Sequence, residues 1–491
     1  MSEVNITING GRFSVPEGST ILEAAKANGI RIPTLCKYES LGPKASCRIC
    51  LVEVDGSDKF RLACAVKAAD GMVVNTDTPE IISERKATIE KMLEFHSVDC
   101  CHCLRIGSSR CGDLDPKLCE SCFFCDCVRD GFCELQALSR EYGVDALPFE
   151  IKPDNYEIDS SLGSLIRDPN KCVKCGRCVE ICGKVQTTGI LDLVPTESGS
   201  LIAPAEGGKL KESPCVRCGR CVDVCPTGGV YMEEHKDALV YWAHRYGVTT
   251  VAQVSPSILG ELEGLFGMAP GTMLTELVTA GLRKIGVDYV VTDDFALACT
   301  GRCAEKLLLE KLEWSERPLV LTDSYAAKNF MATNYADLGK NLLAYDSPQQ
   351  FFGKYVKSEF AKKIGVPPEN IRSFSVTNGN ENGAEAHETG SVDISLNARE
   401  LYRIFLRTGA DPRRLRPSVP DSFVGPEAAA GTLKLLGRAD WSTDGEVETL
   451  EFRANGKLIK AAIAPNLGKA RSLLEQIRNG ESPYTVIRIL A

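Results

Sequence analysis

Eight cysteines between positions 172 and 225 fall into one register written twice, and nothing else restricts the fold of this 491-residue chain as tightly. The first copy reads Cys172-Val-Lys-Cys175-Gly-Arg-Cys178-Val-Glu-Ile-Cys182 and the second Cys215-Val-Arg-Cys218-Gly-Arg-Cys221-Val-Asp-Val-Cys225-Pro226. Each is C-x2-C-x2-C-x3-C, a spacing that holds 4Fe–4S cubanes. Three closely spaced thiolates wrap one cubane face, and the fourth, a helical turn further on, reaches the other cluster. The expected pairing is crossed: Cys172, Cys175 and Cys178 with Cys225, and Cys215, Cys218 and Cys221 with Cys182. Zinc or structural cysteines are the bland alternatives, and the repeated register weighs against both. The chain is expected to move electrons.

Length predicts about three or four domains. Hydrophobic residues at 44% and charged residues at 25% exclude neither core formation nor solubility, so disorder and a membrane class are both disfavoured. The sequence has no apolar run near the roughly 20 residues of a spanning helix, and Met1-Ser-Glu-Val4 carries no basic leader region. Most of the 23 cysteines fall in metal-ligand spacings, which suits a reducing compartment better than a disulfide framework. A cytoplasmic location without membrane partners is expected. The net charge of −9 argues against nucleic-acid binding.

Residues 1–78 open with Asn5-Ile-Thr-Ile8, the turn Asn9-Gly10-Gly11 and Arg12-Phe-Ser-Val15, which predict a hairpin. Thr20-Ile-Leu-Glu23 offers a capping box for a helix closed by Gly29. Cys36, Cys47, Cys50 and Cys64 follow. The order resembles a plant-type 2Fe–2S β-grasp ferredoxin, although the spacing departs from C-x4-C-x2-C. It is more similar to the N-terminal 2Fe–2S domain shared by iron-iron hydrogenases and the large iron–sulfur subunit of respiratory complex I. A zinc site is the alternative.

Residues 79–150 begin with a predicted helix over 79–95, N-capped by Thr78 with Pro79 first. His96-x3-Cys100 ends it, and Cys127-Val-Arg-Asp-Gly-Phe-Cys133-Glu-Leu-Gln136 follows. Resemblance to the same families implies a 4Fe–4S cluster held by one histidine and three cysteines, with His96, Cys100, Cys127 and Cys133 as its matching positions. This sequence departs from the pattern by an insertion carrying Cys101, Cys103, Cys111, Cys119, Cys122 and Cys125. Cys100-x2-Cys103-x15-Cys119-x2-Cys122 also has the spacing of a four-cysteine zinc ribbon. Cys100 is then claimed twice. The insertion predicts a second metal site, zinc or a further 4Fe–4S cluster, with the partition of ligands open.

Residues 155–236 carry the two registers and resemble a bacterial-type 2×4Fe–4S ferredoxin, with Gly207-Gly208 and Lys209-Leu-Lys211 expected as an exposed loop between the halves. In residues 240–491 only Cys299 and Cys303 remain. Thr250-Val-Ala-Gln-Val254 and Val287-Asp-Tyr-Val-Val-Thr292 predict strands, residues 271–284 an amphipathic helix capped by Gly286. Leu458-Ile-Lys-Ala-Ala-Ile-Ala464 and Thr485-Val-Ile-Arg-Ile-Leu490 predict strands around a helix with Ala470, Leu473, Leu474 and Ile477 on one face. The alternation predicts an α/β domain with parallel strands.

Ala252-Gln-Val-Ser-Pro256, Pro270-Gly-Thr272, Asp293-Asp-Phe-Ala296 and the last strand–helix–strand resemble the catalytic domain of iron-iron hydrogenases. The family's three cluster-ligand loops are expected to be lost. The first falls near Leu321-Thr-Asp323-Ser-Tyr-Ala-Ala327 and the second near Thr377-Asn-Gly379-Asn-Glu-Asn382, both without cysteine; the third falls beyond Ala491. Oxygen ligands do not replace soft thiolates on iron, so no hydrogen-activating iron-iron cluster is expected and no catalytic residue is assigned. Cys299 and Cys303 are expected as ordinary buried helix cysteines rather than substitute ligands.

The fold class predicted is multidomain α+β and α/β. The resemblance extends to the hydrogenase-like subunit, without an active site, of flavin-based electron-bifurcating NADH/ferredoxin:NADP transhydrogenases. It implies one 2Fe–2S and three 4Fe–4S clusters relaying electrons between flavin/NAD(P)-binding subunits, a small 2Fe–2S subunit and ferredoxin. No G-x-G-x-x-G follows a strand and no P-loop is present, so flavin and nicotinamide chemistry is expected from partners. The alternative is a redox-sensing or assembly protein whose C-terminal domain is a binding module. Several clusters in one chain favour transport.

Overall fold

β1 (Glu3–Ile8) and β2 (Gly11–Pro16) form the predicted hairpin, turned by Asn9 and Gly10 at φ 50° and 83°. The capping box is present: Glu23 N donates to Thr20 Oγ1 while Thr20 N donates to Glu23 Oε2, starting the helix Ile21–Ala27. β3 (Leu51–Val54), β4 (Arg61–Leu62) and β5 (Met72–Asn75) complete a sheet of order β2-β1-β5-β3-β4 in which only β1 and β5 run parallel. Its apolar face, with Ile6, Ile8, Val52 and Val74, closes over Cys50 and Cys64. The computed structural model describes residues 2–38, 41–42, 44–96, 128–129, 131–144, 156–196, 199–315, 318–423, 445–454 and 457–490.

The helix Pro79–Glu94 starts as expected on Thr78, whose side chain accepts from Ile81 N. Its buried Arg85 donates to Leu51 O of the first sheet at 2.6 Å and to Tyr142 OH at 3.0 Å, just beyond the helix Glu134–Glu141. One guanidinium therefore ties the second segment to the first.

The paired registers sit on β6 (Leu165–Arg167) and β9 (Val230–Met232), an antiparallel pair, with the hairpin β7 (Leu191–Thr196) and β8 (Gly199–Pro204) between them. Short helices Arg177–Glu180 and Arg220–Val224 occupy equivalent places in the two halves. The expected loop at 207–211 is only partly exposed. Leu210 is 2% exposed, and its N–H donates to the buried Asp159 carboxylate.

From β10 onward the chain builds two parallel sheets. β10 (Thr249–Val254), β11 (Tyr289–Thr292), β14 (Ile371–Val376) and β15 (Ile394–Leu396) form one, ordered β11-β10-β14-β15. β12 (Leu319–Thr322), β13 (Leu342–Ala344), β16 (Glu448–Ala454), β17 (Lys457–Ala464) and β18 (Val486–Ile489) form the other, ordered β13-β12-β18-β17-β16 with β16 antiparallel at the edge. The helix Leu467–Asn479 makes the last crossover and buries Ala470, Leu473, Leu474 and Ile477, as predicted. Helix Lys236–Ala243 belongs to this part, since Leu239 lies in the core with Ala252, Val254 and Phe374.

Two local expectations are corrected. The helix predicted from 271 begins at Thr275, because Gly271 at φ 78° makes a turn and Glu263 Oε1 accepts from Met273 N. Cys299 and Cys303 lie on the helix Asp294–Leu312, but the first is half-buried and the second exposed. The buried stripe of that helix is Ala296, Thr300, Ala304 and Leu308, one position away. Among the described residues no helix is long and apolar enough to cross a membrane.

Candidate metal centres

Cys36, Cys47, Cys50 and Cys64 are all buried, at 6% exposure or less. Cys36 and Cys47 are in hydrogen-bond contact, and so are Cys50 and Cys64. Within each couple one thiol is driven toward thiolate and the other away from it. The contact with Cys47 brings Cys36 down to about 5, and that with Cys50 lowers Cys64, while their partners are pushed up by the same contacts and by burial. Ala45 and Arg48 hold positive φ (55° and 56°), a strained path for residues with a Cβ that curls the backbone about the sulfurs. Four converging, buried thiols fit a 2Fe–2S cluster.

The two candidate cubane positions are each marked by a cavity. Cys172, Cys175, Cys178 and Cys225 line one cavity, and Cys182, Cys215, Cys218 and Cys221 line another. Each cavity takes three sulfurs from one register and the fourth from the other, the crossing expected from the spacing. Burial, then the charge of Cys225, pushes Cys172 up to about 11; burial, opposed by the Arg220 N–H, takes Cys218 to about 12. Such thiols ionise when metal charge offsets their desolvation, so the donor set fits iron. Lys174 N donates to Cys172 Sγ at 3.4 Å and Ile190 N to Cys182 Sγ at 3.2 Å. Lys174 and Gly176 in the first register, and Arg217 and Gly219 in the second, share left-handed φ values of 53°, 76°, 60° and 73°. The turn is built twice the same way.

His96, 5% exposed, follows the helix Pro79–Glu94. Cys133, 8% exposed, caps the helix Glu134–Glu141, its sulfur accepting from Gln136 N. The remaining expected ligands, Cys100, Cys101, Cys103, Cys111, Cys119, Cys122, Cys125 and Cys127, lie outside the described residues.

These centres are joined through shared cores. Cys36 and Cys47 of the first site, Cys133, and Cys175 of a cubane site belong to one apolar cluster with Leu35, Ile49 and Leu93. Cys178 belongs to a second cluster, against which Cys172, Cys182, Cys215 and Cys221 pack, and Cys218 packs on a core of the C-terminal domain. Polar contacts brace the same joints. Arg177 makes a bidentate pair with Glu134 at 2.6 and 2.8 Å, and Glu134 N donates to Pro226 O at 2.9 Å.

The segments after β12 and β14 meet in a polar cluster instead of a thiolate one. Ser324 Oγ and Ala326 N donate to Glu381 Oε2 at 2.7 and 3.1 Å. Asp323 pairs with Arg488 of β18 at 3.7 Å. Behind them Glu385, 1% exposed, accepts from Ser347 Oγ at 2.6 Å and Gln349 Nε2 at 3.1 Å, and burial pushes its carboxyl up to about 7. The sequence carries little signal for this carboxylate set beyond Glu381 and Glu385 standing one helical turn apart after β14.

Comparison with known proteins agrees with this anatomy. Residues 1–79 match a 2Fe-2S iron-sulfur cluster binding domain, residues 171–229 a 4Fe-4S dicluster domain, and residues 248–491 the iron only hydrogenase large subunit, C-terminal domain. The C-terminal half belongs to the iron-only hydrogenase large-subunit family. The chain is 29% identical to the NADP-reducing hydrogenase subunit HndD of Solidesulfovibrio fructosivorans, over 100% of this chain and 87% of that protein. It is 27% identical to iron hydrogenase 1 of Clostridium pasteurianum, over 91% of this chain and 77% of that one. It is 32% identical to the mitochondrial NADH-ubiquinone oxidoreductase 78 kDa subunit of Candida albicans, over 38% of this chain and 23% of that protein. It is an iron–sulfur electron-transfer protein related to subunits of oxidoreductase complexes.

Proposed function

We propose that this chain is the electron-relay subunit of a cytoplasmic flavin-based electron-bifurcating oxidoreductase of the NADH/ferredoxin:NADP transhydrogenase type. The observation that carries the reading is the run of shared cores linking the 2Fe–2S cysteines, Cys133 and both cubane positions to the C-terminal domain. Cys36, Cys47, Cys50 and Cys64 would hold the 2Fe–2S cluster, and the two crossed cysteine sets two 4Fe–4S clusters. His96, Cys100, Cys127 and Cys133 would hold a third, with zinc or a further cubane on the insertion. When bound, such clusters supply one-electron transfer. The protein's own residues bury the sulfurs, direct backbone N–H groups at them and fix the modules against one another.

The hydrogenase-family domain acts as a scaffold in this proposal. Asp323 and Glu381 present hard oxygen where soft thiolates would be needed, so no hydrogen-activating cluster is assigned. Flavin/NAD(P)-binding subunits, a small 2Fe–2S subunit and ferredoxin are the proposed partners. The test is anaerobic purification with co-purifying subunits, followed by metal analysis and NADH- and NADP-dependent ferredoxin reduction. The four ligand sets predict about 14 irons per chain, about 18 with a further cubane, or about 14 with one zinc. Iron near eight without a 2Fe–2S signal, or a complex that reduces ferredoxin equally well without this chain, would overturn the proposal.

A further inference from the structure

A small cleft of mixed polar and apolar lining, open at its mouth, lies between the dicluster domain and the hydrogenase-family domain, beyond the carboxyl ends of β14 and β15. That edge of a parallel sheet is where open α/β folds hold ligands. On one side is the helix Asn380–Thr389, whose N-cap Gly379 gives no side-chain cap; the Asn382 N–H donates to Gly379 O, which leaves those of Asn380 and Glu381 for a ligand. Asn380, Gly383 and His387 of this helix line the cavity, and Gly383 leaves it room.

The opposite wall carries the second, independent sign. Ser164 comes from the dicluster domain, is 3% exposed, lines the cavity, and its hydroxyl has no hydrogen-bond partner. A buried hydroxyl left unpaired keeps its desolvation cost, so a ligand that pairs it is favoured. Glu400 also lines the cavity, but its two oxygens are taken by the N–H groups of His235 and Asn397. Glu233, exposed at the rim, supplies an acceptor.

We propose that this cavity is a binding site for a small protonated oxyanion of the inorganic-phosphate class. The helix N-terminus and Ser164 donate to its oxygens, His387 closes the mouth, and Glu233 accepts the O–H that hydrogen phosphate keeps at neutral pH. Sulfate has no such proton there, so its charge meets the Glu233 carboxylate unrelieved. Because both domains line the cavity, the bound anion fastens one to the other.

The test is phosphate titration of the anaerobic, cluster-loaded full-length chain by calorimetry and 31P NMR, with sulfate as competitor. Saturable one-to-one binding that sulfate does not displace is expected. Ser164→Ala and His387→Ala should each weaken it about tenfold or more while leaving the visible and EPR spectra of the clusters unchanged, and Glu233→Gln should admit sulfate. Absence of saturable binding, unaltered affinity in Ser164→Ala, or equal displacement by sulfate in the unsubstituted chain would overturn the assignment. Iron content and ferredoxin reduction are unaffected by that outcome, so it leaves the relay proposal to its own test.

Discussion

Gly176 and Gly219 occupy the same place in the two cysteine registers, and substituting alanine at each separates backbone strain from domain contact. Both have left-handed φ, 76° and 73°, so alanine at either is strained by roughly 1–2 kcal/mol. Their surroundings differ. A Cβ on Gly176 meets Lys44 Cε at 2.9 Å, the far end of an exposed, flexible side chain that can move. A Cβ on Gly219 would lie 2.3 Å from Asn380 Cβ and 3.3 Å from its Cα, where the helix Asn380–Thr389 presses on the turn. Overpacking of that kind adds about 1–3 kcal/mol. Gly219→Ala should therefore be worse than Gly176→Ala by about 2 kcal/mol, some 30-fold in the population of the opened turn. Anaerobic denaturation followed by cluster absorbance and EPR measures both losses. Asn380→Gly should restore much of the Gly219→Ala deficit and little of the other. Equal losses in the two variants, or no rescue, would refute the reasoning.

Cys225→Ser should remove the cluster of Cys172, Cys175 and Cys178 some fifty residues upstream, seen by Mössbauer and EPR spectroscopy; selective loss of the other cubane would show the crossing to be wrong. Glu385 has a folded value near 7 against an ordinary 4.5, raised first by burial. Its contribution to stability is therefore complete below about pH 4.5 and lost as pH rises through about 7, on the order of 3 kcal/mol in all. Glu385→Gln should flatten that part of the stability–pH profile, and an unchanged slope would show that the carboxyl titrates normally. The full-length chain, exposed to hydrogenase maturation machinery, should neither evolve nor consume hydrogen by gas chromatography; turnover would restore a catalytic role to the C-terminal domain.

What the sequence made legible were features fixed by neighbours along the chain. The capping box at Thr20 and the start at Thr78 follow from spacings of a few residues, and the grouping of the cysteines from one short register written twice, so these were readable. Long-range decisions were not. The division of the parallel strands into two sheets depends on β10 taking β11 on one side and β14, more than a hundred residues later, on the other. The exposure of Cys303 depends on which stripe of the helix Asp294–Leu312 meets the core, and two cysteines four apart fit either face. The helix expected at 271 was misplaced because the Glu263 carboxylate, eight residues upstream, holds the loop open up to Met273. The unpaired Ser164 hydroxyl could not be foreseen at all, since its surroundings come from two domains.

The cluster that unites Cys36, Cys47, Cys133 and Cys175 has a consequence for how this protein comes into being. The proposed ligands among these sulfurs are the same atoms that three successive stretches of chain seal from water when they dock. If they hold iron, loading before docking meets an open path, whereas loading afterwards requires the docked stretches to part again.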